Sequence, residues 1–275
     1  MRMGVFLRNF GPYSTSANIT ACAKAAESIG LDDLWLSDHI AIPPEEAEGS
    51  GGRYLDPLAT IAYLAGVTQR IGIGTSVLIV PYRAPLVTAK WIATIQELSN
   101  GRLTIGAAVG WMEAEFRAAG VEHKRRGAIT DDTLQLWHDF FAADEAEING
   151  QCFVFKPRPQ RPGFLIGGAA PHALNRAVKL GDGWMPTEGD AEKLREPIAS
   201  LSERMLQAGK PNPDVIPLTS LPLEDLPAAV DKLSALSEVG VTGIVHAGKY
   251  ENEKEFESIA ERLMEVHSRA NLADS

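Results

Sequence analysis

Cysteine is scarce: Cys22 and Cys152 are the only two in 275 residues. Neither sits in a CxxC or metal-ligand spacing, so both are expected as free, packed thiols in a reducing cytoplasm. Positive charge is also short, with 26 Lys and Arg against 36 Asp and Glu and a formal net charge of −10. A chain without a basic run lacks the footprint for nucleic acid or an anionic membrane. Any anionic ligand must then be held locally, by backbone N–H groups or a few placed cations. No apolar run approaches the roughly 18 residues of a membrane span, and Met1 to Phe10 turns polar too soon for a signal peptide. The six histidines, at 39, 123, 138, 172, 246 and 267, show no HxH or HExxH spacing, so no metal site is expected. The absence of a G-x-S-x-G elbow argues against an α/β-hydrolase.

What is present is an alternation of short apolar runs and amphipathic helices. The spacing predicts strands at Met3–Leu7, Asp33–Leu36, Ile71–Val80, Leu103–Val109, Phe164–Gly167, Gly183–Pro186, Val215–Ser220 and Gly243–Ala247. Most are unbroken apolar runs, as parallel strands covered on both faces should be. Between them, stripes such as Ile19, Cys22, Ala23, Ala26 and Phe256, Ile259, Ala260, Leu263 repeat at helical spacing. Gly30, Gly101, Gly181 and Gly240 stand where helix C-caps belong. Trp35, Trp91, Trp137 and Trp184 are expected in the core, and His138 lies on a packed helical stripe. Eight units in 275 residues give about 34 each, close to the roughly 30 of a βα unit. The fold class expected is α/β, a (β/α)8 TIM barrel forming a single domain over residues 1–275, with a doubly wound sheet as the alternative. Ala146–Lys156, with Asn149-Gly150 at its centre, reads as an inserted hairpin.

In such a barrel the site gathers at the strand C-termini. Asp38-His39 follows the second strand, where an imidazole can exchange a proton near neutral pH and a carboxylate can orient it. Gly167-Gly168-Ala169-Ala170-Pro171 leaves a strand for a helix, and its outward N–H groups form a ready anion site. Ile71-Gly72-Ile73-Gly74 lacks the third glycine of a dinucleotide fingerprint. Its glycines instead mark a bulge or a close backbone approach to a ligand.

Three blocks together resemble the bacterial luciferase-like monooxygenase superfamily. Leu34-Trp35-Leu36-Ser37-Asp38-His39 with Tyr54 to Leu58 and Arg70 to Val77 form the first. Glu97 to Arg102 with Gly106 to Phe116 form the second, and Phe164 to Gly168 with Gly181 to Trp184 the third. The Ser-Asp-His version is most similar to the deazaflavin branch, whose members use coenzyme F420. The resemblance implies a barrel that binds the deazaflavin at its strand C-termini, with Asp38 and His39 near ring and substrate. It implies a non-proline cis peptide at Ser76-Val77 backing the ring, Val109-Gly110 lining it, and Gly167-Gly168 with Ala169 holding the phosphate end. Where sugar-phosphate-oxidising relatives carry a glutamate after the fourth-strand glycine, this chain has Trp111, with Glu113 and Glu115 following. A substrate other than a sugar phosphate is therefore expected. The activity implied is hydride transfer between the deazaflavin and a small organic substrate, with His39 and Asp38 as catalytic residues. An FMN-dependent monooxygenase is the alternative, and a barrel that binds without turnover is a third reading. A homodimer is implied as well.

Overall fold

The computed structural model describes residues 1–273. Its strands are β1 (Arg2–Phe6), β2 (Asp33–Leu36), β3 (Gly72–Ile79), β4 (Leu103–Ala108), β5 (Glu145–Ile148), β6 (Gln151–Val154), β7 (Gly163–Gly167), β8 (Gly183–Met185), β9 (Asp214–Val215), β10 (Leu218–Thr219) and β11 (Gly243–His246). β5 and β6 form a separate antiparallel hairpin, and the other nine lie in one sheet of order β10-β11-β1-β2-β3-β4-β7-β8-β9. Every pairing in that sheet is parallel. β9 and β10 are two pieces of one strand, interrupted at Ile216-Pro217. Ile216 and Leu218 donate to Trp184 and Pro186 on one side, while Thr242 and Val245 donate to Val215 and Pro217 on the other. That shared segment closes the sheet on itself, and its eight strands make the barrel expected from the apolar runs.

The helices are α1 (Ser16–Ile29), α2 (Pro57–Val67), α3 (Pro85–Leu98), α4 (Glu113–Ala119), α5 (Arg126–Ala142), α6 (His172–Leu180), α7 (Ala191–Gln207), α8 (Leu226–Glu238) and α9 (Glu253–Ala273). Their buried stripes pack on the outward strand residues as the main core. A second, smaller cluster of Trp35, Leu165, Met185, Ile216 and Val245 fills the barrel interior. Trp35 fits there because its neighbours are glycines. A Cβ on Gly4 would lie 2.5 Å from its Nε1, and one on Gly74 would lie 2.6 Å from its Cζ3. The close approach expected at Gly74 is thus made by a tryptophan of the protein, not by a ligand.

Other expectations are corrected. Cys22 is buried, and its thiol is pushed up to about 12 by burial, but Cys152 is exposed on the hairpin. Trp91 is 45% exposed on α3 and is not core. Gly181 closes α6 in extended geometry, φ −116°, whereas Gly30 and Gly101 adopt the left-handed form. The hairpin turn is as its sequence demands, with Asn149 at φ 52° and Gly150 at φ 74°. No helix among the described residues is long and apolar enough to cross a membrane.

Candidate active site at the barrel mouth

The loop after β1 is tied to the loop after β2 by one buried asparagine. The Asn9 amide donates to Ser37 O and Leu55 O, both at 2.8 Å, and its Oδ1 accepts from Ser37 N at 3.1 Å. This fixes where Asp38 and His39 leave the strand. Their side chains then part company.

Asp38 turns down into the wall. Its carboxylate accepts from Arg83 Nη1 at 2.6 Å and Nη2 at 2.8 Å, and from Ile79 N at 2.8 Å. The Asp38 side chain has no exposure. Burial pushes its carboxyl up, and the Arg83 hydrogen bonds oppose that. Arg83 also donates to Asp56 at 2.6 Å, and Asp56 caps α2 through Ala59 N. Asp38 therefore joins β2, the end of β3 and α2.

His39 turns toward the mouth, with 20% of its side chain exposed. Its Nδ1 lies 2.8 Å from Glu115 Oε2, so the carboxylate that orients the ring is Glu115 rather than the neighbouring Asp38. Glu115, on the buried face of α4, also accepts from Ile40 N at 2.6 Å, Ala41 N at 3.0 Å and the Tyr82 hydroxyl at 3.0 Å. Burial pushes the Glu115 carboxyl up, but the His39 hydrogen bond and the two backbone N–H groups outweigh it and hold it at about 2. The His39 ring packs 4.9 Å from Tyr54 and 6.4 Å from Trp111. Phe10 stacks on Tyr54 at 5.2 Å. The result is an aromatic wall around a partly exposed imidazole.

The remaining expected residues sit on the neighbouring strands. The Ser76–Val77 peptide is cis and lies in a bulge where the β3–β4 register shifts between Thr75 and Leu78. Val77 is half-buried and, with Phe6 and Leu218, roofs the interior cluster, giving the mouth an apolar floor. Val109 and Gly110 are also half-buried, and Gly110 takes φ 78°. A Cβ at Gly110 would lie 2.6 Å from Ile79 Cγ2. Gly167 faces Val77, and a Cβ there would lie 2.8 Å from Val77 Cγ1. Gly168, at φ 121°, and Ala169 are exposed, and the Gly168 carbonyl accepts from Trp184 Nε1 at 2.8 Å. Among the described residues, the backbone N–H groups of Gly168, Ala169 and Ala170 meet no protein acceptor. The sheet order β2-β3-β4-β7 puts three strand steps of about 4.8 Å, roughly 14 Å in all, between the His39 loop and the Gly168 loop. The intervening floor is apolar. An elongated, flat ligand with an anionic end fits that layout: a ring over Phe6, Val77 and Leu218, and an anion at the free N–H groups.

Glu115, Tyr82 and Arg83 are the site residues the sequence did not mark out. One signal was available. Met112, Glu115, Phe116 and Ala119 share a helical face, and an acid in a core position of that stripe is out of place unless something inside needs it.

The luciferase-like monooxygenase family model matches residues 1–274. An F420-dependent glucose-6-phosphate dehydrogenase of Amycolatopsis mediterranei is 31% identical over 195 residues, which cover 67% of this chain and 56% of that relative. Among solved structures, an F420-dependent secondary alcohol dehydrogenase in complex with an F420-acetone adduct superposes with a TM-score of 0.79 at 14% identity, covering 96% of this chain and 98% of its own. The oxygenating constituent of 3,6-diketocamphane monooxygenase from Pseudomonas putida, in complex with FMN, gives 0.73 at 13% identity, covering 97% and 98%.

Proposed function

The chain belongs to the luciferase-like monooxygenase family, and from that premise we propose that it is a coenzyme F420-dependent oxidoreductase acting on a small organic substrate. The observation that carries this reading is the partly exposed His39 imidazole at one end of an apolar floor that has unpaired backbone N–H groups at its other end. Phe6, Val77 and Leu218 would support the ring, with Ser76, Val109 and Gly110 beside it. Gly167, Gly168 and Ala169 would hold the phosphate end. A bound deazaflavin supplies the hydride chemistry, which no protein side chain can perform. His39 takes or returns the substrate proton at Nε2, and Asp38 sets the loop that carries it. The 31% identical relative uses F420, which favours the deazaflavin. Trp111 after the β4 glycine favours a substrate other than a sugar phosphate.

The FMN-dependent monooxygenase reading rests on the same floor, which would accept either ring, and on the likeness to an FMN-bound fold. Separate titrations of the purified protein with oxidised F420 and with FMN decide between them. Saturable F420 binding supports the proposal, and micromolar FMN binding without F420 binding replaces it. Gly168→Val should weaken the bound cofactor at least tenfold, because a side chain there displaces the anion from the N–H groups. We further infer a homodimer formed through α2 and α3, where Tyr63 on α2 and Val87, Trp91 and Leu98 on α3 are exposed large apolar residues. The unpaired cysteines are consistent with a cytoplasmic enzyme.

A further inference from the structure

We propose that Glu115 is a positioning residue that holds His39 as its Nδ1–H tautomer, so that Nε2 is the atom that accepts the substrate proton. The inference rests on the reading of His39 as the proton-handling group. Its geometry stands on the four donors around one enclosed carboxylate.

Glu115 has no exposed side-chain surface. Its Oε1 accepts from Ile40 N and Ala41 N, which are backbone donors and cannot reverse. Its Oε2 lies between the Tyr82 hydroxyl and His39 Nδ1. An ionised carboxylate can only accept, so Nδ1 must carry the proton on that contact. The lone pair of the neutral ring is then on Nε2. Among the described residues that atom has no hydrogen-bond partner, and it is not one of their enclosed, unpartnered polar atoms. It is therefore open to the mouth. When the substrate gives up its proton, the bond to that proton breaks, its electron pair stays on the substrate atom, and a new N–H bond forms at Nε2. The imidazolium so formed is stabilised through Nδ1 by the carboxylate beneath it. The same carboxylate fixes the backbone of Ile40 and Ala41, so ring orientation and loop position are set by one group on α4.

Glu115→Gln separates these roles. The two backbone N–H groups keep the Gln Oε1 as their acceptor, which leaves the amide NH2 facing His39 Nδ1. Nδ1 must then accept, and the ring switches to the Nε2–H tautomer, a donor where an acceptor is needed. The readout is the nitrogen spectrum of 15N-histidine-labelled, cofactor-free protein, with His39 assigned by its absence in His39→Asn. Wild type is expected to show a protonated Nδ1 and an unprotonated Nε2 in alkaline buffer, and Glu115→Gln the reverse. In steady state, kcat should fall roughly 10²–10⁴-fold. KM and the F420 dissociation constant should stay within about threefold of wild type. A wild-type His39 protonated on Nε2 overturns the proposal. So does a Glu115→Gln protein that keeps the wild-type tautomer, or one whose kcat is unchanged. If Glu115→Gln does not fold, the wild-type spectrum alone decides. Because the tautomer is read without cofactor, its failure is distinct from a failure of F420 to bind.

Discussion

Two enclosed carboxylates stand at the same rim of the barrel, and they are held in opposite ways. Asp38 is met by an arginine in bidentate contact and by one backbone N–H. Glu115 is met by a histidine, a tyrosine and two backbone N–H groups. Arg83 keeps its charge at any working pH and is itself tied to Asp56 on α2, so the Asp38 cluster is static. The His39 ring is partly exposed and has a second nitrogen free to exchange a proton, so the Glu115 cluster has one member that can change state while facing a ligand. A buried ionised group marks chemistry only when its partner can move a proton. By that measure the site is built on Glu115 and His39, with Asp38 and Arg83 as its frame.

The largest effect should come from breaking the frame. Arg83→Met leaves the Asp38 carboxylate enclosed without its cation, a change that costs about 3–5 kcal/mol in buried pairs. That is a large share of the roughly 5–15 kcal/mol stability of a folded domain. Urea unfolding should show it as a lower midpoint. A midpoint near wild type would mean that Asp38 is protonated and the frame is not ionic. His39→Ala should do the reverse. Turnover falls roughly 10²–10⁴-fold while F420 affinity stays close to wild type, and the urea midpoint falls by much less than in Arg83→Met, because Glu115 keeps three other donors. Full turnover between pH 6 and 8 would leave His39 a bystander.

Acid separates the clusters further. The Glu115 carboxyl lies near 2 in the folded protein against an ordinary 4.5. A depressed folded value stabilises above the ordinary value and is lost as pH falls through the folded one. Stability should therefore decline between pH 4.5 and 2, and that part of the decline should shrink in Glu115→Gln. An identical acid limb in the variant would show that other carboxylates carry it.

Much of the frame was legible in the sequence, and the reason is local. The unbroken apolar runs at Leu34–Leu36 and Ile71–Val80 mark strands by their own residues, and Asn149-Gly150 marks a hairpin by its own dihedral needs. The Ser37-Asp38-His39 loop was found the same way, from its place after a strand. Partners were not legible, because pairing is set by the closed barrel. Glu115 is 76 residues from His39, and Arg83 is 45 from Asp38. Adjacency suggested Asp38 as the group that orients His39. Successive residues leaving a strand point to opposite sides, so they are poorly placed to bond one another. α3 carries no clean apolar stripe in its sequence, because Val87, Trp91 and Leu98 put apolar residues on its exposed side as well. Trp91 departs from the core expectation on that same exposed side.

The smallest effect tests whether the Glu115 cluster needs all its donors. Tyr82→Phe keeps the ring, which packs edge-on against Phe116 at 5.0 Å, and removes only the hydroxyl that donates to Oε2. Burial and the neighbouring carboxylate push the Tyr82 hydroxyl well above its ordinary pKa, so it is a neutral donor throughout the working range. Losing one such hydrogen bond costs about 1 kcal/mol, with the Glu115 carboxylate still served by three donors. The urea midpoint should fall by that free energy divided by the unfolding m-value. With Tyr82 gone, Oε2 has His39 as its sole partner, so the Nδ1–H tautomer should persist in the nitrogen spectrum. Turnover should drop by less than tenfold, far short of the effect of Glu115→Gln. A loss as large as that of Glu115→Gln would move the proton-handling role from the imidazole to a relay that includes the phenol. The comparison between the two carboxylates would then have to be redrawn around Tyr82.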